Sequence, residues 1–188
     1  MNNEKSGKLL AEELMGRLIK ERIILIEGTI DDDYAGRVID QLEELEAVDE
    51  KKGIDMYLNS PGGSAQAALA ICDAIKRIAP PVTTICLEKA CCGAAIILAC
   101  GARRFALPHS QILLYQPLFI QGVSDGAMES AGKQIVSAKE KIISILAKAT
   151  GKEPSLLRKE INTDRILTAR EAVELGVIDR VLPGAPSL

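Results

Sequence analysis

The segment IDMYLNSPGGSAQAALAICDAIKRI at positions 54–78 contains a strand, a glycine-rich turn and a helix in direct succession. Ile54 to Leu58 is a short apolar run with the length and composition of a buried strand. N-S-P-G-G at 59–63 predicts a tight turn. The apolar residues that follow recur on one face of a helix: Ala68, Ile71, Ile75 and Ile78.

The same alternation continues on both sides of this unit. Arg22–Glu27, ended by Gly28, and Val82–Leu87 are apolar, β-branched runs that predict buried strands. A helix of small residues is predicted at 92–100, and the longest helix at about 125–150. Further short strands are predicted at 104–107, 112–115 and 177–182, and T-A-R-E at 168–171 predicts a capping box. Strands that alternate with helices predict an α/β fold with a largely parallel sheet.

Composition limits the class of protein. The chain has 188 residues, of which 47% are hydrophobic and 26% charged, as expected of one globular domain. A net charge of -3 argues against a nucleic-acid partner. The longest nearly apolar run, 90–102, is shorter than the roughly 20 residues of a membrane span, and positions 1–8 are polar. We therefore expect a cytoplasmic protein that binds neither membrane nor nucleic acid.

The chain has too few histidines for a site with several imidazole metal ligands, and its cysteines are too scattered for a zinc site. His109 is the single histidine of the chain, and we expect it in a turn or at the surface. Five cysteines lie among apolar residues without C-x-x-C or zinc spacing, which favours free thiols in a reducing compartment. The sequence therefore predicts no metal and no cofactor.

Two predicted strand-to-helix connections are rich in small residues, S-P-G-G at 60–63 and A-C-C-G-A at 90–94. Glycine lets a backbone N–H approach a ligand closely, and a helix N-terminus favours negative charge. Side by side, two such turns can form an oxyanion hole. Taken alone, most such glycine-rich segments are ordinary connections.

Seven sequence words occur in the order and spacing of one known family. They are R-L-I-K-E-R-I-I at 17–24, Y-L-N-S-P-G-G at 57–63, T-I-C at 84–86, R-F-A-L-P at 104–108, Q-P-L at 116–118, T-G at 150–151 and D-R-I-L-T-A-x-E-A-V at 164–173. On these words the chain resembles the ClpP family, the proteolytic subunits of ATP-dependent Clp proteases. The resemblance implies a ClpP/crotonase-like α/β fold of repeated β-β-α units with a long protruding helix at about 125–150. It divides the chain into an N-terminal arm at 1–16, a ClpP-like domain at 17–183 and a C-terminal tail at 184–188.

The resemblance also implies the positions of a serine-peptidase triad. The turn that carries the family's serine reads E-K-A-C-C-G-A here, with Cys92 at the serine position. The family's histidine directly precedes Q-P-L, where this chain has Tyr115, and the family's acid corresponds to Asp164. The oxyanion amides correspond to Gly63 and Gly93.

These departures lead to three hypotheses. A phenol titrates near 10 and is a poor general base at neutral pH, so the first is an inactive or regulatory subunit with a degenerate triad. Because a cysteine at a helix N-terminus can have a lowered pKa, the second is an active peptidase that uses Cys92 as a thiol nucleophile. The third is a crotonase-like binder of acyl thioesters, although the chain lacks the acidic catalytic pair of that class.

Neighbouring residues leave two alternatives open. Lys89 is either a lysine base for Cys92 or a solvated residue at a strand end. Cys91 is either the redox partner of Cys92 or a small packing residue.

The resemblance implies self-association in heptameric rings, single or stacked as a tetradecamer, and a peptide substrate. An active ClpP paralogue and a Clp ATPase are candidate partners. Asn162 and Thr163 replace an Asp–Arg pair that bridges rings in several members, and Phe119 and Ile120 replace two cleft glycines. Residues 1–14 do not match the family's axial loop, which meets the ATPase.

Overall fold

The computed structural model describes residues 13–114, 128–162 and 166–183, and only the backbone of 128–135. The strands in these ranges are β1 (Ile23–Ile30), β2 (Ile54–Gly63), β3 (Val82–Cys91), β4 (Arg103–Ala106), β5 (Gln111–Leu113), β6 (Ile166–Thr168) and β7 (Arg180–Val181). The helices are α1 (residues 13–20), α2 (Asp32–Val48), α3 (Ala65–Arg77), α4 (Gly93–Cys100), α5 (Met128–Thr150), α6 (Pro154–Glu160) and α7 (Ala169–Leu175).

The strands form one mainly parallel sheet in the order β1-β2-β3-β4-β7. All neighbours along this path are parallel. β5 pairs in parallel with β3, and β6 pairs antiparallel with β5. The predicted α/β class and largely parallel sheet are confirmed. The strands alternate singly with helices as far as α4, and β4 and β5 then follow each other directly.

Strand β3 has two successive partners on the same side. Thr83–Cys86 pair with β4, whereas Lys89–Cys91 pair with β5. At the change of partner, the buried Ser110 hydroxyl lies 2.9 Å from the carbonyl oxygens of both Cys86 and Leu87. It thereby supplies a donor where the ladder is interrupted.

The core lies between the sheet and helices α2, α3, α4 and α5. α4 is apolar on every side, and each residue from Gly93 to Ala99 is buried. A helix without a polar face is stable in water only when other elements surround it. Within the described ranges, no helix combines the length and apolar character that a bilayer crossing requires.

Local residues cap several helix ends, and the predicted T-A-R-E capping box is confirmed. The Asp31 side chain caps α2, and Thr168 and Glu171 form the capping box of α7. Gly176 ends α7 in the left-handed conformation, and Gly151 follows α5 with a φ of 66°. These residues satisfy terminal backbone groups that a helix leaves without partners.

Four predicted boundaries are wrong. The first is that of β3, which does not end at Leu87 but continues to Cys91. The N-S-P-G-G segment is not a tight turn, because β2 continues to Gly63 and pairs Gly62 and Gly63 with the end of β1. Likewise β1 does not stop at Gly28 but passes it through a bulge and ends at Ile30. The last strand covers only Arg180–Val181 of the predicted 177–182.

Arg22 connects the start of β1 to the end of α2. It is 4% exposed and has a φ of 62°. Its guanidinium donates to the carbonyl oxygens of Leu45 (2.8 Å), Asp49 (3.0 Å) and Gly53 (3.0 Å). The side chain therefore caps the C-terminus of α2 and fixes the chain that leads into β2.

We expect Arg22→Ala to lower the free energy of unfolding by about 2–4 kcal/mol, because three carbonyls lose a charged donor. Equilibrium urea unfolding measures the change. The control is Arg17→Ala, which removes an exposed 2.8 Å ion pair with Glu13 and should change stability by less than about 0.5 kcal/mol. Equal effects of the two substitutions would contradict the capping role.

Candidate active site

The predicted nucleophile and oxyanion residues meet at one edge of the sheet. β2 ends at Gly63 and β3 at Cys91, and these neighbouring parallel strands end on the same side. In α/β proteins this edge is where ligands bind, because the loops and helix N-termini that follow the strands collect there.

Cys92 is a sharp elbow between β3 and α4. Its φ of 51° and ψ of -117° lie outside the regions that side-chain-bearing residues ordinarily adopt. Its N–H donates to the Leu113 carbonyl oxygen (2.8 Å), and its own carbonyl accepts from Ala95 (3.1 Å) and Ile96 (3.3 Å). A strained residue between a strand and a helix is the geometry that presents the nucleophile in α/β-hydrolases.

Gly62 makes this elbow possible by bringing the backbone of β2 against it. A Cβ on Gly62 would collide with the Cys91 carbonyl oxygen and lie 2.9 Å from Cys92 Cβ and 3.1 Å from Gly93 N. Gly62 also has a φ of 88°, which favours glycine. Both the space and the backbone conformation therefore require glycine at this position.

The two predicted oxyanion glycines are close together. The Gly63 nitrogen lies 4.0 Å from the position that a Cβ on Gly93 would take. Gly93 is the first residue of α4, so its N–H belongs to the group of amides that a helix leaves free at its start. The arrangement can offer two backbone donors to a developing negative charge beside the Cys92 thiol.

A narrow pocket opens next to these residues. Its volume of about 10 Å³ has room for about one water molecule. Its described lining is mainly apolar: Gly63, Ala65, Ala68, Leu69, Cys92, Gly93, Ile96 and Ile142. A small aliphatic group fits its chemistry better than a charged one.

Among the described residues, no group lowers the pKa of the Cys92 thiol. Burial raises the pKa of Cys92 above its ordinary range, and the neighbouring Cys91 raises it further. The Lys89 charge lowers the pKa of Cys91, but burial raises that pKa by more. The lowered pKa expected for a cysteine at this helix N-terminus is therefore not supported.

Only some of the remaining candidate residues lie within the described ranges. Tyr115 and Asp164 lie outside the described residues, as do Phe119, Ile120 and Thr163. His109 is exposed in a turn, as predicted. All five cysteines are free, so Cys91 and Cys92 do not form a disulfide.

Ser60 is a supporting residue that the sequence analysis did not identify. It is fully buried, donates to the Gly28 carbonyl oxygen (2.5 Å) and accepts from the Gly62 N–H (3.0 Å). It therefore ties the bulge of β1 to the glycine that contacts the elbow. The serine in S-P-G-G was a signal for this role, because short hydroxyl side chains bond to nearby backbone.

The geometry agrees with the comparison of the sequence with known families. The model of the family described as Clp protease matches residues 6–184. The chain belongs to the Clp protease family. The match includes β2, the Cys92 elbow and α4. Among the described residues, no group of three or more metal-ligating side chains is placed to hold a metal ion.

We expect Gly62→Ala to lower the free energy of unfolding by at least about 3 kcal/mol, because strain and backbone collision combine. Gly28→Ala is a matched control. Gly28 also has a positive φ (69°), but a Cβ there would contact nothing within 4 Å. Strain alone should lower its stability by about 1–2 kcal/mol. Chemical denaturation of both variants measures the difference, and similar losses would show that the close approach is unimportant.

We also expect slow alkylation of Cys92 at neutral pH. Because its pKa is raised, the thiolate fraction at pH 7 is smaller than that of an ordinary thiol, and the rate should rise about tenfold per pH unit up to about pH 9. Iodoacetamide labelling, followed by mass spectrometry with Cys92→Ser as the background, measures the rate. Labelling at pH 7 that is faster than that of glutathione would contradict this expectation.

Proposed function

We propose that this chain is a ring-forming subunit of an ATP-dependent Clp-type protease that does not itself hydrolyse peptides. The observation that carries the proposal is an elbow and a pair of close glycines around Cys92, whose thiol has a pKa that burial raises. Such a subunit would contribute structure or regulation to the assembly.

The proposed loss of activity follows from the lack of a suitable acceptor for the proton of the nucleophile. A thiol must lose its proton to attack a carbonyl, and a neutral base must accept that proton. The family's base position is Tyr115 here, and a phenol does not replace imidazole at neutral pH. Without nucleophile activation, only the residual ~10³–10⁴-fold acceleration from the oxyanion hole and binding is expected.

The register of β5 and β6 supports assigning Tyr115 and Asp164 to one site. Leu113 pairs with Ile166 in this antiparallel ladder. Position 115 is two residues after Leu113, and position 164 is two residues before Ile166. The two positions therefore lie at equal distances along the chain from the last described pair of this ladder. We therefore propose that Tyr115, Asp164 and Cys92 occupy the three triad positions, with Gly63 and Gly93 as oxyanion donors.

A second candidate function is a thiol peptidase that uses Cys92. It is favoured by the strained backbone of Cys92 and by the exposed Gly63 beside it, because such strain is often retained at reactive positions. For this function, substrate binding would have to lower the pKa of the thiol.

Assembly and location are further parts of the proposal. Clp protease family membership implies oligomeric rings that work with Clp ATPases in general. For this chain we propose heptameric rings, single or stacked, an active ClpP paralogue and a Clp ATPase as partners, and a cytoplasmic location. The proposal includes no cofactor.

Hydrolysis of a short fluorogenic peptide tests the function. We expect wild-type turnover at or below the detection limit of the assay. The Cys92→Ser/Tyr115→His double variant should exceed that limit by at least about 100-fold, because it regains a nucleophile and its base. The mass of each assembly in solution is measured in the same buffer, so that activity is compared between equal oligomers.

Two control variants separate the contributions. Cys92→Ser alone has a nucleophile without its base, and Cys92→Ala/Tyr115→His has the base without a nucleophile, so both should remain inactive. Wild-type turnover that disappears in Cys92→Ala would overturn the proposal in favour of the thiol peptidase. A double variant that assembles but stays inactive would show that the remaining scaffold is also degenerate.

A further inference from the structure

The first strand of the sheet has a free edge. β1 stands at one end of the strand order, and among the described residues it pairs with β2 alone. The Arg22 carbonyl oxygen accepts from the Asp55 N–H (3.0 Å) and therefore faces β2. Because backbone groups alternate in direction along a strand, the N–H and C=O groups of Ile23, Leu25 and Glu27 face away from β2. These groups form the free edge of β1, with which another strand can pair.

The Tyr34 hydroxyl occupies part of this free edge. It accepts from the Glu27 N–H (2.9 Å) and donates to the Leu25 carbonyl oxygen (3.0 Å). A parallel neighbouring strand would bond the same two groups through the C=O and N–H of one residue. We propose that the Tyr34 hydroxyl closes the free edge of β1, and that without it this edge pairs with β1 of a second copy of the chain.

Tyr34 is held in place by its own helix. It lies in the first turn of α2, and its N–H donates to the Asp31 side chain that caps this helix (2.7 Å). The Arg37 Cζ atom lies 5.4 Å from the centre of the Tyr34 ring, a distance typical of a cation–π contact. Burial raises the pKa of Tyr34, so the hydroxyl keeps at neutral pH the proton that it donates to Leu25. The phenol is therefore a fixed donor and acceptor at the edge.

The first half of β1 has none of the sequence features that usually protect an edge strand. The segment I-I-L-I at 23–26 contains neither a charge nor a proline, and the bulge of β1 comes only after Glu27. Apolar edge strands without such features tend to pair with other strands. Protection of this segment therefore depends on Tyr34.

A second copy of β1 is a suitable partner for this edge. In an antiparallel pair about a two-fold axis, Leu25 would lie opposite its own copy, and Ile23 would lie opposite Glu27. No like charges face each other in this register, and the half-buried side chains of Ile23 and Leu25 would gain apolar neighbours. The pairing needs the Leu25 C=O and the Glu27 N–H, which are the two groups that Tyr34 occupies.

The substitution Tyr34→Phe tests the proposal, because it removes the hydroxyl and keeps the ring. Sedimentation velocity of the full-length protein should show species larger than the wild-type assembly. Their share should rise with protein concentration between about 1 μM and about 100 μM. Circular dichroism checks that the variant is folded like the wild type.

Hydrogen exchange of the Glu27 amide, followed by nuclear magnetic resonance, tests the contact itself. In dilute Tyr34→Phe protein this amide should exchange about tenfold faster than in the wild type, because one hydrogen bond is lost. At high concentration it should become protected again, because β1 of the second copy supplies a carbonyl oxygen.

Two further variants are controls. Tyr57→Phe removes the hydroxyl of a half-buried tyrosine in the adjacent strand β2 and should leave the mass of the assembly unchanged. Leu25→Lys, added to Tyr34→Phe, places a charge in the middle of the edge and should abolish the association.

Three results would overturn the proposal. The first is a folded Tyr34→Phe variant whose mass equals that of the wild type at every concentration. The second is a Glu27 amide that stays protected in the dilute variant, since another group would then close the edge. The third is an association that survives Leu25→Lys or that Tyr57→Phe produces equally, since the contact would then lie elsewhere.

Discussion

The contact between Gly62 and the elbow at Cys92 determines how the two halves of the site fit together. β2 approaches the turn so closely that a single methyl group would collide with the Cys91 carbonyl oxygen. This approach allows β3 to turn directly into α4 and brings the Gly63 and Gly93 amides close together. Ser60 maintains it by bonding both the bulge of β1 and the Gly62 N–H. This part of the site is thus built by close packing of backbones, which one serine hydroxyl supports.

Away from the site, two arginine side chains also hold separate elements together. Arg22 caps the carbonyl end of α2, and Arg104 donates to the Ala149 carbonyl oxygen (2.8 Å) in α5 and to the Gly176 carbonyl oxygen (2.9 Å) after α7. Arg104 also pairs with Asp179 (2.5 Å). Each guanidinium joins elements that are distant in sequence by satisfying terminal carbonyl groups. The helices are therefore positioned by charged caps as well as by apolar packing.

Local patterns in the sequence were sufficient for much of this fold. Helical spacing, the T-A-R-E capping box and the apolar runs of β2 and β3 depend on nearby residues, and the structure confirms them. The S-P-G-G segment was misassigned because its extended conformation depends on pairing with β1, which is remote in sequence. The sequence placed Cys92, Gly63 and Gly93 in two strand-to-helix connections, but it could not predict the raised pKa of Cys92, which depends on the three-dimensional burial of its thiol.

Strand β3 forms a fork, since its first half is paired with β4 and its second half with β5. Within the described ranges, β5 and β6 have three residues each, so this arm of the fork has fewer described ladder pairs than β1 to β3. The Cys92 N–H is bonded to Leu113 in that small arm. Local opening of the arm would expose this amide to solvent while the main sheet stays intact. In hydrogen-exchange terms, the elbow amide belongs to a weaker cooperative unit than the strand that leads to it.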